Sequence, residues 1–398
     1  MSKKILLLIP NFGFGGAQRV FADHSRLFSK FGQVEECVFN LSLVNEYESG
    51  NVVHTLNVAS GNSFVSKAIR FWDRVTALRK LKKKEKYDIC ISHLEGADYV
   101  NVLSRQSEKV ILVIHGSKSA DENISGLIGW IRKKILLPVL YRNADLIITV
   151  SDGIKEELQS DYAIPASSIV SIPNYFNIDE IVKASEREVD LKIESIKMNH
   201  KVILFSGRFA AQKNIIPLFH IFRKVSEELS SVKLVLVGDG ELRSSLQAEC
   251  EQMNFNVYTE DKPFNDSYDV YFMGYHKNPF PIIKACDVFI MTSKWEGFPM
   301  ALCEAMAIGS CVVASDCPTG PRQILEYHDV SGVLHHAGVI LPIPLAGDPS
   351  TINVWADALK EILVKDELRH RYQAEARLRV LDFSEEEVSK KWLSVLSY

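Results

Sequence analysis

Two glutamates, Glu296 and Glu304, stand in a segment whose pattern predicts a buried strand, a loop and a helix. The apolar run 287–291 predicts the strand, Pro299 suits the first helical position and Gly309 suits the helix end. A helix N-terminus offers free N–H groups and a positive dipole end, which favour a phosphate. Two carboxylates beside that place would not bind the anion, but they would accept hydrogen bonds from hydroxyl groups. The segment therefore predicts a site for a diphosphate with a sugar on each side.

Two cations, Arg208 and Lys213, follow the strand predicted at 202–206. An arginine can hold two phosphate oxygens at once, whereas a lysine acts as a point charge. The two cations of this loop could therefore hold phosphate oxygens, with two exposed loop cations as the simpler interpretation.

The composition limits the class of protein. The chain has 398 residues, of which 46% are hydrophobic and 24% charged, and its net charge is −4. This length suits two domains, and the charge gives no reason to expect nucleic acid as a partner. No apolar run is long enough to span a membrane and no secretory signal is evident, so we expect a cytoplasmic protein. The seven cysteines form no C-x-x-C pair, which favours reduced core residues over disulfides or metal ligands, and no cofactor is expected.

Short apolar runs alternate with helix-length segments along the whole chain, which predicts doubly wound α/β domains. Strands are expected at 4–9, 34–41, 52–58, 87–92, 109–114, 145–150, 202–206, 233–237, 271–274, 287–291 and 311–314. Helices are expected at 17–31, 66–84, 127–142, 152–160, 183–197, 215–229, 241–253, 299–308, 321–326 and beyond 350. The predicted domains are 1–175 and 200–380, with a linker at 176–199 and a terminal helix at 381–398. Ligands of such sheets bind outside the carboxyl ends of the strands.

A glycine-rich loop follows the first predicted strand and contains Gly13, Gly15 and Gly16. Glycines between a strand and a helix permit close approach of a ligand to the backbone. A dinucleotide fingerprint would need glycine or alanine at position 18, where this chain has Gln18, so a nicotinamide or flavin site is disfavoured. The remaining interpretations are a ligand-facing loop and a tight turn required by packing.

These segments together resemble the retaining glycosyltransferases of the family-four type, whose fold is GT-B. Glu296 and Glu304 resemble the E-x7-E motif, and 207–214 resembles the G-R-x-x-x-x-K-N element. Pro-Thr-Gly-Pro at 318–321 is similar to a loop of members that extend bacterial surface polysaccharides and lipid-linked oligosaccharides. The resemblance covers almost the whole chain. It implies two Rossmann-like domains that face a cleft, with a C-terminal helix that crosses back to the first domain.

The resemblance also implies roles for individual residues. His115 and Glu296 would be catalytic and would position the transferred sugar, and Arg19 would lie on the acceptor side. The donor would be bound by Gly15, Gly16, Arg208, Lys213, Tyr275, Gly297, Phe298, Pro299, Met300 and Glu304.

The implied reaction is metal-independent, retaining transfer of a hexose or N-acetylhexosamine from a nucleoside diphosphate sugar, with UDP as the expected nucleotide. A glycan, expected to be lipid-linked, would accept the sugar during assembly of a bacterial surface polysaccharide or lipopolysaccharide. Two alternatives remain open at this point. One is another GT-B enzyme, namely a sugar-nucleotide epimerase or a phosphorylase, and the other is a non-catalytic scaffold that binds nucleotide sugars or glycans.

The segment 66–86 predicts a basic amphipathic helix, because nine of its residues are Lys or Arg. Its apolar residues fall near one helical face: Ile69, Trp72, Val75, Leu78 and Leu81. Such a helix fits an anionic membrane surface, here the inner face of the plasma membrane, and 127–142 would extend that surface. In the alternative interpretation the apolar face packs on the sheet and the basic face is only solvated.

Overall fold

The chain divides into two compact units, Met1–Asn174 with Ser389–Tyr398, and Tyr175–Val388. The computed structural model describes residues 3–13, 15–41, 47, 49–59, 61, 63–120, 126–328 and 334–397. Each unit is an α/β domain built on a seven-stranded parallel sheet. The fold class predicted from the alternating pattern is therefore confirmed.

The sheet of the first unit has the strand order β3-β2-β1-β4-β5-β6-β7. The strands are β1 (Lys3–Ile9), β2 (Gly32–Val38), β3 (Val52–Thr55), β4 (Ile89–His93), β5 (Lys109–Ile114), β6 (Leu146–Thr149) and β7 (Ile169–Ser171). The residues from Ile5 to Ile9 are all buried, because helices cover both faces of a parallel sheet. The carboxyl ends of β4 and β5 lie side by side, with His93 opposite Val113.

Within the described residues, the helices that connect these strands are α1 (Gly16–Phe28), α2 (Phe64–Glu85), α3 (Glu95–Leu103), α4 (Gly126–Ile131), α5 (Leu137–Tyr141) and α6 (Asp152–Ser160). Ser63 caps α2 by accepting a hydrogen bond from Ser66 N, which defines its start. The single helix expected at 127–142 is interrupted by a π-helical turn, Arg132–Leu136, just before Pro138. Proline has no N–H to donate, and a single π turn is a common accommodation within a helix.

The two halves of α2 have different environments. Val75 and Leu78 are buried in a core cluster with Leu6 and Leu8 of β1. Lys82 is also buried, and its Nζ lies 2.7 Å from Glu108 Oε1. The predicted apolar face is therefore not continuous, because its C-terminal half packs on the sheet.

The last helix, α16 (Glu385–Ser397), begins in the second unit and ends in the first. The Trp392 ring packs on His24 and Phe28 of α1, with centroids 4.7 and 4.9 Å apart. Lys3 Nζ donates to Leu396 O over 2.6 Å, which satisfies a carbonyl at the helix end. The C-terminal part of α16 thus packs within the first unit.

The sheet of the second unit has the order β10-β11-β9-β8-β12-β13-β16, and β14 and β15 form a separate antiparallel pair. The strands are β8 (Lys201–Ser206), β9 (Val232–Val237), β10 (Val257–Tyr258), β11 (Val270–Phe272), β12 (Val288–Met291), β13 (Cys311–Ser315), β14 (Glu326–His328), β15 (Leu334–His336) and β16 (Val339–Leu341). The helices are α7 (Ile178–Ser185), α8 (Leu191–Asn199), α9 (Ile216–Glu228), α10 (Arg243–Gln252), α11 (Phe280–Ala285), α12 (Met300–Ile308), α13 (Pro321–Leu325), α14 (Pro349–Val364) and α15 (Asp366–Val380).

The expected linker 176–199 contains α7 and α8, both of which pack on α11. Ile181, Ile193 and Ile196 are buried in this packing. Asp190 caps α8 by accepting a hydrogen bond from the backbone N–H of the second helical residue over 2.9 Å, which interrupts the continuous helix expected at 183–197. The segment is therefore part of the second unit and not a linker.

Candidate active site

Glu296 lies in the loop between β12 and α12, and only 5% of its surface is exposed. Its backbone N–H donates to Pro318 O over 2.6 Å, and its carbonyl accepts from Thr319 N over 2.8 Å. The Pro-Thr-Gly-Pro loop, which follows the neighbouring strand β13, thus holds the Glu296 backbone from the side. Because β12 and β13 are adjacent and parallel, both loops leave the sheet at the same edge.

The Glu296 carboxylate is fully engaged by side chains from two loops. Lys213 Nζ lies 2.6 Å from Oε1, and Ser293 Oγ donates to the same oxygen over 2.7 Å. Gln212 Nε2 donates to Oε2 over 3.3 Å and to Trp295 O over 2.7 Å. A buried carboxylate needs such partners, because its desolvation is otherwise costly. The sequence predicted Glu296 and Lys213 as site residues, and the structure brings them into direct contact.

Lys213 is positioned by the short 3-10 turn Ala211–Lys213, which follows β8. The next residue, Asn214, has a left-handed conformation with φ 52°, which asparagine tolerates better than most residues. Its side chain donates to Thr292 O over 3.2 Å and to Pro344 O over 2.9 Å. Thr292 Oγ1 in turn donates to Lys213 O over 3.0 Å. Asn214 therefore connects the loop that carries Lys213 to the end of β12, which leads to Glu296. The G-R-x-x-x-x-K-N element by itself did not reveal this role.

Arg208 is not part of this contact. Its side chain is 72% exposed, and Nη2 of its guanidinium lies 3.0 Å from Glu241 Oε2. The Gly-Asp-Gly turn supports this loop, because Gly238 approaches it closely: a Cβ there would lie 2.0 Å from Gly207 O. With φ 138°, Gly238 also has a backbone conformation that favours glycine. The turn, a weak signal in the sequence, thus determines where the Arg208 loop can lie.

The start of α12 differs slightly from the prediction. Pro299 is the N-cap with extended dihedral angles, so the helix begins one residue later, at Met300. Glu304 lies in the second turn and is 6% exposed. At the other end Gly309 has φ 83°, and a Cβ there would lie 2.0 Å from Arg377 Nε, so the predicted helix end is confirmed.

The Phe298 side chain, at the predicted donor-binding helix start, packs within the second unit. Its ring is 5.2 Å from the Phe383 ring and 6.4 Å from the Phe176 ring, measured between centroids. Gly297, the preceding residue, approaches the Pro-Thr-Gly-Pro loop, since Thr319 Oγ1 lies 3.5 Å from its carbonyl oxygen. Tyr275 follows β11 and is 57% exposed, so its ring is accessible. The apolar ring of Phe298 therefore anchors the loop, which leaves only its backbone for ligand contact.

The other predicted residues belong to the first unit. Gly15 and Gly16 are exposed at the start of α1, and Arg19 is partly buried one turn later. His115 directly follows β5, and its Nε2 lies 2.9 Å from Nδ1 of the buried His93. Burial, with a smaller contribution from the charge of Lys118, lowers the pKa of His115 to about 3, so the ring is neutral near pH 7.

All seven cysteines are free and buried, as the sequence predicted. Burial raises the pKa of the Cys317 thiol to about 12, so this thiol stays protonated near pH 7. No group of three or more His, Cys, Asp or Glu side chains in the described part of the chain is placed to hold a metal ion. The described helices include none that is both long and apolar enough to cross a bilayer.

Most of the chain matches two known family models. Residues 186–379 match the family Glycosyl transferases group 1, and residues 14–180 match Glycosyltransferase Family 4. Over 99% of both chains, the protein is 24% identical to the N-acetylgalactosamine-N,N'-diacetylbacillosaminyl-diphospho-undecaprenol 4-alpha-N-acetylgalactosaminyltransferase of Campylobacter jejuni. Over 60% of each chain, it is 26% identical to the UDP-Gal:alpha-D-GlcNAc-diphosphoundecaprenol alpha-1,3-galactosyltransferase of Escherichia coli. Its fold is similar to that of the Anabaena protein HepE in complex with UDP and glucose, with a TM-score of 0.74 and 17% identity over 99% of both chains.

Proposed function

We propose that this chain transfers a hexose or N-acetylhexosamine from a UDP sugar to a lipid-linked glycan. The premise is that the chain belongs to the family-four type of glycosyltransferases with the GT-B fold. The product would keep the anomeric configuration of the donor. Support for the nucleotide and the acceptor comes from the relatives, whose names include UDP-galactose and undecaprenol diphosphates. The process would be assembly of a bacterial surface polysaccharide or lipopolysaccharide.

The observation that carries the proposal is the buried contact between Lys213 and Glu296. The two charges neutralise and orient each other. When a donor binds, Lys213 would face the diphosphate and Glu296 the hydroxyl groups of the transferred sugar. A lysine held in this way stabilises the charge of the departing diphosphate without reorganisation during the reaction.

The remaining residues would complete the donor site. Arg208 would leave Glu241 to bind the diphosphate, together with the backbone at Gly297 and the start of α12. Glu304 would accept hydrogen bonds from the ribose hydroxyls, and Tyr275 would contact the base. Pro299 and Met300, at the helix start, would help to position the backbone N–H groups that face the phosphate.

Residues of the first unit would complete the reaction centre. His115 would contact the transferred sugar, Gly15 and Gly16 would permit close approach of the substrates, and Arg19 would lie on the acceptor side. Reaction on the front face would let the departing phosphate deprotonate the acceptor hydroxyl. The two cations Arg208 and Lys213 would take the place of a metal ion in this mechanism.

The alternatives predict different products. A phosphorylase would require inorganic phosphate, and an epimerase would convert the nucleotide sugar without an acceptor. A non-catalytic scaffold would bind the donor and release no UDP. The Lys213–Glu296 contact favours the transferase over the scaffold, because burying an ion pair is costly and a binding module would gain little from it.

Calorimetric titration with UDP, GDP, ADP and NAD tests the donor site. We expect UDP to bind at least about tenfold more tightly than the other nucleotides, and Arg208→Ala to weaken UDP binding about tenfold, because it removes charge-assisted hydrogen bonds. Arg187→Ala is the matched control, since Arg187 is exposed between α7 and α8. Preference for GDP or ADP would change the donor and keep the chemistry, whereas binding of NAD alone, or of nothing, would refute the proposed site.

We also propose that the first unit contacts the inner face of the plasma membrane. Val65, Ile69 and Trp72 occupy one face of α2 and are 67%, 55% and 57% exposed. Exposed cations lie on the same helix: Lys67, Arg70, Arg79, Lys80, Lys83 and Lys84. A second exposed apolar group, on the segment from α4 to α5, consists of Trp130, Ile131, Ile135, Leu136 and Val139. Apolar side chains flanked by cations suit an anionic lipid surface.

Flotation with anionic phospholipid vesicles tests the membrane proposal. We expect the double variant Ile69→Ser/Trp72→Ser to lower the bound fraction several-fold, because it removes most of the exposed apolar surface of α2. Leu191→Ser is the control, since Leu191 is 78% exposed in the second unit. If the unmodified protein fails to bind anionic vesicles, the membrane contact does not exist.

A further inference from the structure

The candidate catalytic residue His115 rests on a second, completely buried histidine. His93 is the last residue of β4, and its side chain is 0% exposed. The two rings are stacked, with centroids 5.1 Å apart and an angle of 25° between their planes. A hydrogen bond of 2.9 Å joins His93 Nδ1 and His115 Nε2. Because β4 and β5 are paired in the sheet, this arrangement has a rigid base.

Aromatic rings hold His93 from its other sides. The Phe21 ring meets it edge-on at 5.3 Å, and the His24 ring lies 5.2 Å away, both measured between centroids. His24 in turn packs on Phe28 and on Trp392 of the C-terminal helix. Burial lowers the pKa of His93 well below its usual value, so its ring is neutral and carries a single N–H. The plane and the charge state of His93 are thus both determined by packing.

The position of that hydrogen follows from the surroundings of His93 Nε2. This atom is buried and has no hydrogen-bond partner among the described residues. If His115 donated to His93, the His93 hydrogen would be on Nε2, and a buried N–H would lack an acceptor. If His93 donates from Nδ1, only a lone pair on Nε2 remains unused. A buried N–H without an acceptor is rarer and costlier than a buried lone pair without a donor. His93 is therefore the donor of the hydrogen bond to His115.

We propose that His93 is a positioning residue, which fixes His115 as the tautomer with its hydrogen on Nδ1. His115 then offers the transferred sugar one N–H donor from Nδ1, and its Nε2 lone pair is occupied and cannot act as a base. This inference rests on the proposed role of His115 at the transferred sugar. It assigns His115 to hydrogen-bond donation toward a sugar oxygen and excludes it from proton abstraction through Nε2.

The substitution His93→Phe tests the proposal, because phenylalanine keeps the ring stack and removes the Nδ1–H donor. Release of UDP is followed with UDP-glucose, UDP-galactose and their 2-acetamido counterparts, and the best of these donors is used throughout. We expect kcat to fall about 10-fold to 100-fold, which is the usual effect of losing the partner that orients a functional group. If His93 acts only through His115, the double variant His93→Phe/His115→Ala will be no slower than His115→Ala alone.

Nitrogen NMR of the imidazole rings supplies a readout that does not depend on activity. In the unmodified protein, we expect His115 to carry its hydrogen on Nδ1, and in His93→Phe we expect a shift toward the Nε2–H tautomer. Phe21→Leu is the control: it loosens the packing around His93, retains the hydrogen bond, and should leave the tautomer unchanged and kcat within about twofold.

Several outcomes would overturn the inference. Multiplicative loss of kcat in the double variant would show that His93 only supports the fold, and a hydrogen on Nε2 of His115 in the unmodified protein would show the opposite donor direction. Full activity of His115→Ala would instead refute the role of His115 in the proposed function, and the NMR result would still decide the direction of the hydrogen bond.

Discussion

Glutamine in place of Glu296 is expected to lower kcat by about 10³-fold without unfolding the protein. The amide has nearly the shape of the carboxylate and can still accept a hydrogen bond from Ser293, but it has no charge to balance Lys213. Loss of one preorganised polar contact in an active site typically costs 10²- to 10³-fold, and here the ion pair is lost as well. Steady-state UDP release at saturating UDP sugar measures the effect, and thermal unfolding monitors the fold.

Alanine at the same position should also abolish turnover, but with a lower melting temperature than glutamine. It removes the carboxylate that accepts from Lys213 and Ser293 in a largely buried site, whereas Gln212 keeps its bond to Trp295 O. Glu228→Gln is the matched control, because Glu228 is 64% exposed and pairs with Lys360 in the same unit. Turnover near that of the unmodified protein in the glutamine variant would refute a catalytic role for Glu296.

Methionine in place of Lys213 is expected to lower kcat/KM by about 10²- to 10³-fold. The variant keeps the length of the side chain but loses the cation that would stabilise the departing diphosphate, which is an effect of about 3–4 kcal/mol on the barrier. It also leaves the 5% exposed Glu296 carboxylate without its counter-charge. Initial rates over a range of UDP sugar concentrations separate kcat from KM, and calorimetry with UDP reports ground-state binding.

Lys294→Met is the control for this experiment, since Lys294 is an exposed lysine only two residues before Glu296.

Loss of Lys213 and loss of Arg208 should affect different kinetic constants. Arg208 is exposed and paired with Glu241, so its loss should mainly weaken UDP binding, whereas loss of Lys213 should mainly lower kcat. A Lys213→Met variant with kcat/KM within about threefold of normal would remove the central support of the mechanism.

Much of the fold could be predicted from the local pattern of apolar and polar residues in the sequence. The apolar run in β1 and the matching run in β5 predicted buried parallel strands, and β5 was located at the observed residues, Lys109–Ile114. Pro299 and Gly309 predicted the ends of α12 to within one residue. These predictions succeeded because helix and strand formation depends on residues that are near each other in the sequence.

Other elements were missed or misjudged for equally physical reasons. The short helix α3 (Glu95–Leu103) is only nine residues long, so its periodicity is weak. The segment 176–199 looked like a linker because it is rich in charged residues. However, Ile181, Ile193 and Ile196 are buried, and both helices of the segment pack on α11, which comes later in the chain. Val75 and Leu78 belong to the sheet-facing side of α2, which the helix sequence alone could not distinguish from a lipid-facing side.

The sequence by itself determined the two α/β domains, the motif loops and the residue types of the proposed diphosphate-sugar site, because each depends on short-range spacing. The tertiary structure alone decided the partners of these residues. It brings Lys213 into contact with Glu296 and Arg208 into contact with Glu241. It also packs the Phe298 ring on Phe383 and joins His93 to His115 by a hydrogen bond. These pairs are separated by 22 to 85 residues in the chain, and only the order and register of the strands bring their side chains within contact distance.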